Sequence, residues 1–462
     1  EDVLVSAEAG SATESARTPQ ATNAITRDEI AGRAKVSLAE IGNREAGLYW
    51  QRTSPTMGAI FIRGLTGAKV NLFIDGVRFS NAAARGGVNT FLNLLDPSLI
   101  ESAEVTRGPS SAQYGSDAMG GSVQLFSKAP VFANEGSVFT GRASLSAGSA
   151  DKSGGADATV SWSSPTFSLV AAGTGRTVSD IRTGDGIDSH HAVTRFFGIP
   201  SSSVQGDRLP DTSFEQYGGS VRAAWSATPN VRFFGTYLHG QIDGSKRYDQ
   251  LLGGDGNLIA DVRNLKTDIA TVRYEHLNPG FADLLSVSYS WNTQYEERVN
   301  QGGNGNPTAA INHEPERTAT NAFQLRLQKA FRSHTFSAGG DYSFEEVTGV
   351  SVAENAITGA TTLRRGQVPD GAQYRGGGIY VQVSFDPTPK VHLVGALRFS
   401  VARYESFAAK APVVNGQPLW PDDQLKASAV TFRLGGTYEL AEGFRAIKIG
   451  WADPSSPLSF LK

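Results

Sequence analysis

The chain has 462 residues, a formal net charge of −3 and no cysteine. A near-neutral balance argues against a dedicated nucleic-acid binder, which carries a basic face, and missing thiols exclude disulfide scaffolds and Cys-based metal or nucleophilic chemistry. No run of about 18 apolar residues could make a membrane-crossing helix, which leaves open a β-barrel, whose strands alternate lipid-facing and lumen-facing residues.

The chain opens on EDVLVSA (Glu1 to Ala7), a short alternating and β-prone run. Its acidic start is unlike the basic region of a signal peptide, so an exported protein would be in its mature form here. Residues 8–21, rich in Ser, Ala, Thr and Glu, have little to bury and read as a flexible terminus. Thr26 with Glu29, and Ser37 with Glu40, form two capping boxes that predict two short helices, the second burying Leu38 and Ile41. Ala59–Ile62 and Val70–Ile74 are short apolar runs, and the polar link between them, 64–69, predicts a hairpin. Asp75-Gly76 signals a tight turn directly afterwards. Residues 51–58 and 81–93 read as polar, Gly-containing loops.

Residues 99–127 read as a strand (Ala103–Thr106), a sharp turn at Arg107-Gly108-Pro109, a crossover containing Tyr114, Gly115, Gly120 and Gly121, and a second strand (Ser122–Phe126). Pro109 fixes its own φ, and the glycines permit positive φ or close backbone approach. The segment holds no nucleophile, metal cage or phosphate loop. Together the first 130 residues or so make a small α+β domain, of normal domain size.

From Glu135 the period changes to two. Val221/Ala223/Trp225, Val231/Phe233/Gly235/Tyr237, Leu285/Val287/Tyr289/Trp291, Phe323/Leu325/Leu327, Phe336/Ala338/Gly340/Tyr342/Phe344 and Val430/Phe432/Leu434/Gly436/Tyr438/Leu440 form apolar stripes. Each run is about ten residues, the length a tilted strand needs to cross a bilayer. Connections alternate between short turns (163–165, 228–230, 278–280, 332–333, 386–389) and long polar loops (175–215, 241–265, 300–317, 347–373, 404–426). That alternation predicts an antiparallel outer-membrane barrel of about 12 visible strands, and a soluble β-sandwich would not keep it over strands of this length.

Three ordered motifs carry a family resemblance: IFIRG (Ile60–Gly64), NLFIDGVR (Asn71–Arg78) and RGPSSAQYGSDAMGGSVQLFS (Arg107–Ser127). The chain resembles the TonB-dependent outer-membrane receptors, in which an α+β plug domain sits inside an antiparallel transmembrane β-barrel. The resemblance implies a flexible terminus with a TonB box over 1–20, a plug over 21–132 and barrel wall over 133–446. It implies that EDVLVSA, with Asp2, Val3, Leu4 and Val5, pairs as an added strand with the TonB energy-coupling protein, a β-augmentation in which backbone gives affinity. It implies that Arg63, Gly64, Asp75, Gly76, Arg107, Gly108, Pro109, Tyr114, Gly115, Gly120 and Gly121 build and lock the plug, with Arg63 and Arg107 facing acidic groups on the barrel wall; surface arginines are the alternative. It also implies that residues 51–58 and 81–93 form the plug apex. There Trp50, Arg52, Arg85, Asn89 and Phe91 are candidates to stack on or charge-pair with a ligand, with ordinary loop chemistry as the alternative.

Barrels that hold a plug have about 22 strands, more than the residues after the plug accommodate. LGGTYELAEGFRA (434–446) resembles a mid-barrel segment of the family that continues Pro-Asn-Leu, whereas Ile447-Lys448-Ile449 follows here. The expectation is a barrel truncated by roughly a third, with an aberrant tail over 447–462; a smaller barrel is the alternative.

The implied function is energised import, with no cofactor, no enzymatic step and a monomeric chain. The family's commonest cargo, a ferric siderophore or other iron or metal chelate, is the default, with cobalamin, haem and carbohydrate open. The plug has no histidine, which disfavours the haem-ligating arrangement. SKRYDQL (Ser245–Leu251) resembles a barrel loop of the branch that takes iron from haem proteins and transferrin. DIRTGDGIDSHH (Asp180–His191) gathers Asp180, Asp185 and Asp188, oxygens that calcium could use or that a solvated loop would carry. A non-transporting surface receptor or a non-functional fragment is the rival class. An enzyme lacks a supporting motif.

Overall fold

The structure is a computed structural model that describes residues 4–8, 11–14, 18–33, 37–79, 91–115, 117–182, 208–251, 256–302, 305–441 and 444–452. At the N-terminus β1 (Leu4–Glu8) and β2 (Ser11–Glu14) pair antiparallel as a two-stranded sheet. The plug follows, with β3 (Ala21–Thr26), α1 (Arg27–Arg33), a 3-10 turn (Leu38–Gly42), β4 (Leu48–Ser54) and β5 (Met57–Ile62). It continues through β6 (Val70–Ile74), β7 (Val77–Arg78), β8 (Ser102–Arg107), the single turn α2 (Ser111–Tyr114) and β9 (Gly121–Phe126).

Both capping boxes mark helix starts. Thr26 N–H donates to Glu29 Oε2 at 2.9 Å ahead of α1, and Ser37 Oγ accepts from Ala39 N at 3.2 Å. The second helix is a 3-10 turn, and its Glu40 accepts from Arg52 Nη1 at 2.8 Å.

The predicted hairpin between β5 and β6 does not form. β5 pairs back onto β4, and β6 joins a separate sheet of order β3-β8-β9-β6-β7, lying parallel to β9. Leu65, Thr66 and a 3-10 turn at Gly67–Lys69 carry the chain from one sheet to the other. An apolar run with a polar link fits either pairing, and sequence period alone does not choose between them. Asp75-Gly76 forms the two-residue turn between β6 and β7, with φ of 49° and 84°, as a type I′ turn requires. At Gly121, φ is 145° and a Cβ would lie 2.0 Å from Thr106 O, so only glycine lets β8 and β9 close here.

The wall begins with β10 (Val138–Gly148), β11 (Ser153–Ser163), β12 (Phe167–Val178), β13 (Phe214–Thr228) and β14 (Val231–Asp243). Next come β15 (Ile259–Leu277), β16 (Leu284–Gln301), β17 (Ile311–Phe331) and β18 (His334–Thr348). Short β19 (Ser351–Glu354) and β20 (Thr361–Arg364) extend one loop, β19 pairing with β17. Then follow β21 (Ala372–Thr388), β22 (Val391–Ser406), the loop pair β23 (Val413–Val414) and β24 (Gln417–Pro418), β25 (Asp423–Ala441) and β26 (Phe444–Ala452). The sheet runs β10-β11-β12-β13-β14-β15-β16-β17-β18-β21-β22-β25-β26, every neighbour antiparallel. Residues 447–452, expected in an aberrant tail, belong instead to β26, which pairs with β25 through Ala452↔Arg433. The alternation of Ile447, Ile449 and Trp451 with polar or small residues suits that strand.

The apolar stripes face outward. In β16, Val287 and Tyr289 are 42% and 38% exposed, while Ser286 and Ser290 are 6% and 7%. Outward aromatics cluster toward the short-turn rim: Trp225 stacks on Phe233 at 5.5 Å and Phe233 meets Tyr274 at 5.4 Å, as in the aromatic girdle of a membrane barrel. β17 has 21 residues, about 70 Å of strand at ~3.3 Å per residue. The wall therefore rises well past a hydrocarbon core of about 30 Å.

Candidate coupling, lock and ligand sites

The plug is held inside the wall by three kinds of contact. The first is apolar. Phe91, Leu92, Leu94 and Leu95 share one buried cluster with Val178, Phe214, Leu238, Ile242, Val262, Leu265 and Ile269 of β12–β15. At Gly240 the wall touches the plug backbone so closely that a Cβ would lie 2.3 Å from Leu94 O. Phe91, a candidate ligand contact, is 9% exposed in this cluster and works as core. Phe91 opens the apolar run FLNLL (91–95), whose Phe and Leu side chains all enter this cluster.

The second kind is ionic. Asp75 Oδ1 lies 3.2 Å from Arg222 Nη1 of β13, and the same carboxylate accepts from Ser127 N (3.0 Å) and Ser127 Oγ (2.7 Å). Arg222 also donates to Ser127 O at 2.8 Å. Asp96 pairs with Arg176 of β12 at 3.1 Å, and Arg27 approaches Asp157 of β11 at 3.7 Å. In two of these three pairs the arginine is on the wall and the carboxylate on the plug, the reverse of the expected polarity.

Among the described residues neither Arg63 nor Arg107 pairs with a wall carboxylate. Arg107 Nη1 donates to Ala46 O at 2.6 Å within the plug, and Arg63 Nη1 lies over Gly108, 3.1 Å from where its Cβ would be. Burial lowers the Arg107 pKa, and the neighbouring Arg63 charge lowers it further against the pull of Glu45. At Arg63 (φ 50°) and Gly64 (φ 83°) the chain reverses where β5 ends.

The third kind is hydrogen bonding without a carboxylate partner. Gln216 donates to Asn93 O at 2.8 Å, Gln294 to Phe79 O at 2.6 Å, and Arg433 to Gln20 Oε1 at 2.6 Å. Gly115 leaves room for Arg398 of β22, whose Nη2 is 3.2 Å from the Cβ site. Tyr114 is buried against Phe73 with ring centroids 5.4 Å apart, and its hydroxyl accepts from Gln124 at 2.7 Å. Burial pushes the Tyr114 pKa up.

At the long-loop end the β4–β5 tip reaches the loop after β14. Ser54 Oγ donates to Lys246 O, Thr56 Oγ1 meets Ser245 Oγ at 2.5 Å, and Tyr248 N donates to Ser54 Oγ at 3.4 Å. Lys246 pairs with Asp211, which raises the lysine pKa. Trp50 and Arg52 lie together on β4, the guanidinium 5.7 Å from the ring centroid. Both are half-buried, and Arg52 is engaged by Glu40. Ser54 and Thr56 lie in the 51–58 stretch expected at the plug apex but are not among its candidate ligand contacts; the Pro55 turn between them and the SKRYDQL run are the sequence signals for this contact. Arg85, Asn89, Asp185, Asp188, Asp2 and Val3 lie outside the described residues. Asp180 Oδ1 caps the backbone of Thr212 at 3.2 Å. Among the described residues no group of three or more His, Asp or Glu side chains is arranged to hold a metal ion.

A plug threaded through an antiparallel membrane wall is also what comparison with known proteins finds. The model of the TonB-dependent receptor plug domain matches residues 14–122, and the TonB-dependent receptor-like β-barrel model matches residues 203–453. The chain belongs to the TonB-dependent receptors. These are outer-membrane β-barrel transporters rather than enzymes. The barrel match runs through β26, in keeping with its pairing in the sheet. A vitamin B12 transporter, BtuB of Vibrio vulnificus (strain CMCP6), is 34% identical over 130 residues, 28% of this chain and 20% of that protein. The fold is similar to that of the copper transporter OprC (TM-score 0.69, 15% identity, 91% of this chain and 61% of that one). It is also similar to the unliganded ferric citrate transporter FecA (TM-score 0.68, 13% identity, 96% and 64%) and the open form of the ferric-catecholate receptor Fiu of E. coli K12 (0.66, 18%, 93% and 69%). The chain thus spans a fifth of the BtuB relative and about three fifths of OprC.

Proposed function

We propose that this TonB-dependent receptor is an energised importer of a small-molecule metal chelate, a ferric siderophore being the leading candidate. The observation that carries the reading is the lock: a plug carboxylate, Asp75, held at 3.2 Å by Arg222 of the wall, with Ser127 bonded to both. Such a contact has two discrete states, made or broken, and a ligand that binds one state better shifts the balance. Ligand would enter from the long-loop end, over the β4–β5 tip and the loop that Ser54 and Thr56 hold. The TonB protein would pair with the strand that includes Leu4 and Val5, together with Asp2 and Val3, and pull. The relatives named above carry vitamin B12, copper, ferric citrate and ferric catecholates, which supports a chelate cargo.

The test is uptake of radiolabelled iron from a panel of ferric chelates by cells in which this chain replaces their own receptors. Uptake should need TonB and should vanish on Val5→Pro, which deletes a backbone donor from the pairing strand, while ligand binding persists. Binding without TonB-dependent uptake of any panel member would favour a non-transporting receptor.

A further inference from the structure

Four outward-facing rows cross strands β18, β21, β22 and β25 in exact register near the long-loop rim. The uppermost is Glu346, Gln373, Glu405, Gln424; the second is Phe344, Arg375, Arg403, Lys426. The third is Tyr342, Gly377, Val401, Ser428, and the fourth is Gly340, Ile379, Phe399, Val430. Ile379, Val401 and Val430 are 67%, 44% and 56% exposed, which fixes the side of the wall these rows occupy as the lipid side.

The second row places three cations directly opposite one another on adjacent strands. Like charges so placed, with Cβ atoms about 4.5–5.5 Å apart, repel and destabilise a sheet. Local carboxylates answer only part of that charge. Glu405 takes Arg403 at 2.5 Å, and Glu346 is engaged by Lys410 at 2.9 Å. Arg375 donates to the neutral Gln373 Oε1 at 2.9 Å and lies 5.5 Å from the Phe344 ring centroid. Arg375 shares the field of Glu405 with Arg403, and neither Arg375 nor Lys426 forms a salt bridge with a carboxylate among the described residues. Directly below, the small residues Gly377 and Ser428 of the third row interrupt the bulky lipid face. Tyr342 and Val401 flank the dent that results, a groove of about 510 Å³ roofed by Arg375, Arg403 and Lys426.

We propose that this groove seats a phosphorylated lipid of the outer leaflet. Its phosphate would bridge Arg375, Arg403 and Lys426, and an acyl chain would run down through the groove over Ile379 and Phe399. Guanidinium groups bind phosphate bidentately and are weakly hydrated, which suits them to a headgroup at the membrane boundary. The height also fits: the cations lie two residues above the apolar third and fourth rows, near the rim that carries the long loops, and in such barrels that rim faces outward. The inference rests on the outer-membrane barrel and not on which ligand the lumen passes, so the uptake assay above can fail while this site stands.

The experiment is native mass spectrometry of the full chain released from maltoside detergent. The probes are bis-phosphorylated lipid A, the same lipid without phosphates, and inorganic phosphate. The wild-type chain should retain the phosphorylated lipid at least about tenfold better than the dephosphorylated one. Arg375→Gln/Arg403→Gln/Lys426→Gln should lose that preference. Ser428→Phe keeps all three charges but fills the groove, so it should lower lipid retention alone, and it decides the matter if the triple variant fails to fold. Equal retention of both lipids, an unchanged preference in the triple or Ser428→Phe chain, retention of inorganic phosphate only, or a lipid-free dimer would each overturn the proposal.

Discussion

Asp75 and Arg222 meet at 3.2 Å across the boundary between plug and wall, with side chains only 8% and 12% exposed. Removing one partner of such a pair leaves the other charge buried and unmatched, at a cost of about 3–5 kcal/mol. Asp75→Asn should therefore loosen β6 and β7 against β13. Amide hydrogen exchange over residues 70–78 should speed up by at least about tenfold, equivalent to ~1.4 kcal/mol. Asp75→Asn with Arg222→Gln should be less damaging than the two single costs added, since the second change removes the stranded charge. Additive costs would show that the pair does not act as a unit.

Gly240 and Gly235 lie on the same strand and predict opposite outcomes. A Cβ at 240 would meet Leu94 O at 2.3 Å, whereas one at 235 has nothing within 4 Å. Gly240→Val should destabilise plug docking by about 1–3 kcal/mol, the usual cost of overpacking. Gly235→Val should leave thermal unfolding in detergent unchanged. Matching melting curves for the two variants would place the plug farther from β14 than described.

Tyr114 gives the plug an alkaline limit. Burial raises its pKa above the ordinary value near 10, so the unfolded chain ionises first. The stability it contributes is complete below about pH 10 and is lost as pH rises from there through the folded value. Plug unfolding, followed by proteolysis, should steepen above pH 10 in the wild-type chain. Tyr114→Phe should flatten that slope while giving up the bond from Gln124, worth about 1 kcal/mol at lower pH.

Ser54 and Thr56 tie the plug tip to Ser245 and Lys246. Ser54→Ala with Thr56→Val removes both hydroxyls, at about 0.5–1.5 kcal/mol each. Limited proteolysis should then cut residues 244–258 several-fold faster than in the wild type, with the membrane strands intact. Unaltered cleavage would mean that the loop is held by its own contacts, such as the Lys246–Asp211 pair.

The wall was legible because each strand solves one problem repeatedly: apolar residues to lipid, polar residues to the lumen. Val221, Phe233, Val287, Phe323 and Val430 all face outward as the period of two requires. The plug motifs fixed the family, but they did not fix pairing. Val70–Ile74 fits β5 or β9 equally by pattern, and only the packed sheet chooses β9. Site residues were harder still. Phe91 reads as a loop aromatic until it is placed in one buried cluster with wall residues of β12–β15. Arg63 and Arg107 read as wall-facing until Ala46 O takes Arg107 and Arg63 settles over Gly108, both within the plug. In each case the deciding partner lies on another strand or beyond a backbone reversal, where local sequence carries no information about it.

The plug is not gripped evenly. Toward β12–β15 it shares a hydrophobic core with the wall; toward β21–β25 it meets Gln382, Arg398 and Arg433 through Gln113, Gly115 and Gln20. A neutral hydrogen bond exchanges for one to water at about 0.5–1.5 kcal/mol and one from a guanidinium at about 1.5–3 kcal/mol, whereas the β12–β15 side would bare several large apolar side chains at about 1.5–3 kcal/mol each. If the N-terminus is pulled as proposed above, the pull would meet a fastened side and a more wettable side. The seam along β21–β25 should then open before the β12–β15 side, with Leu94 and Leu95 as the pivot.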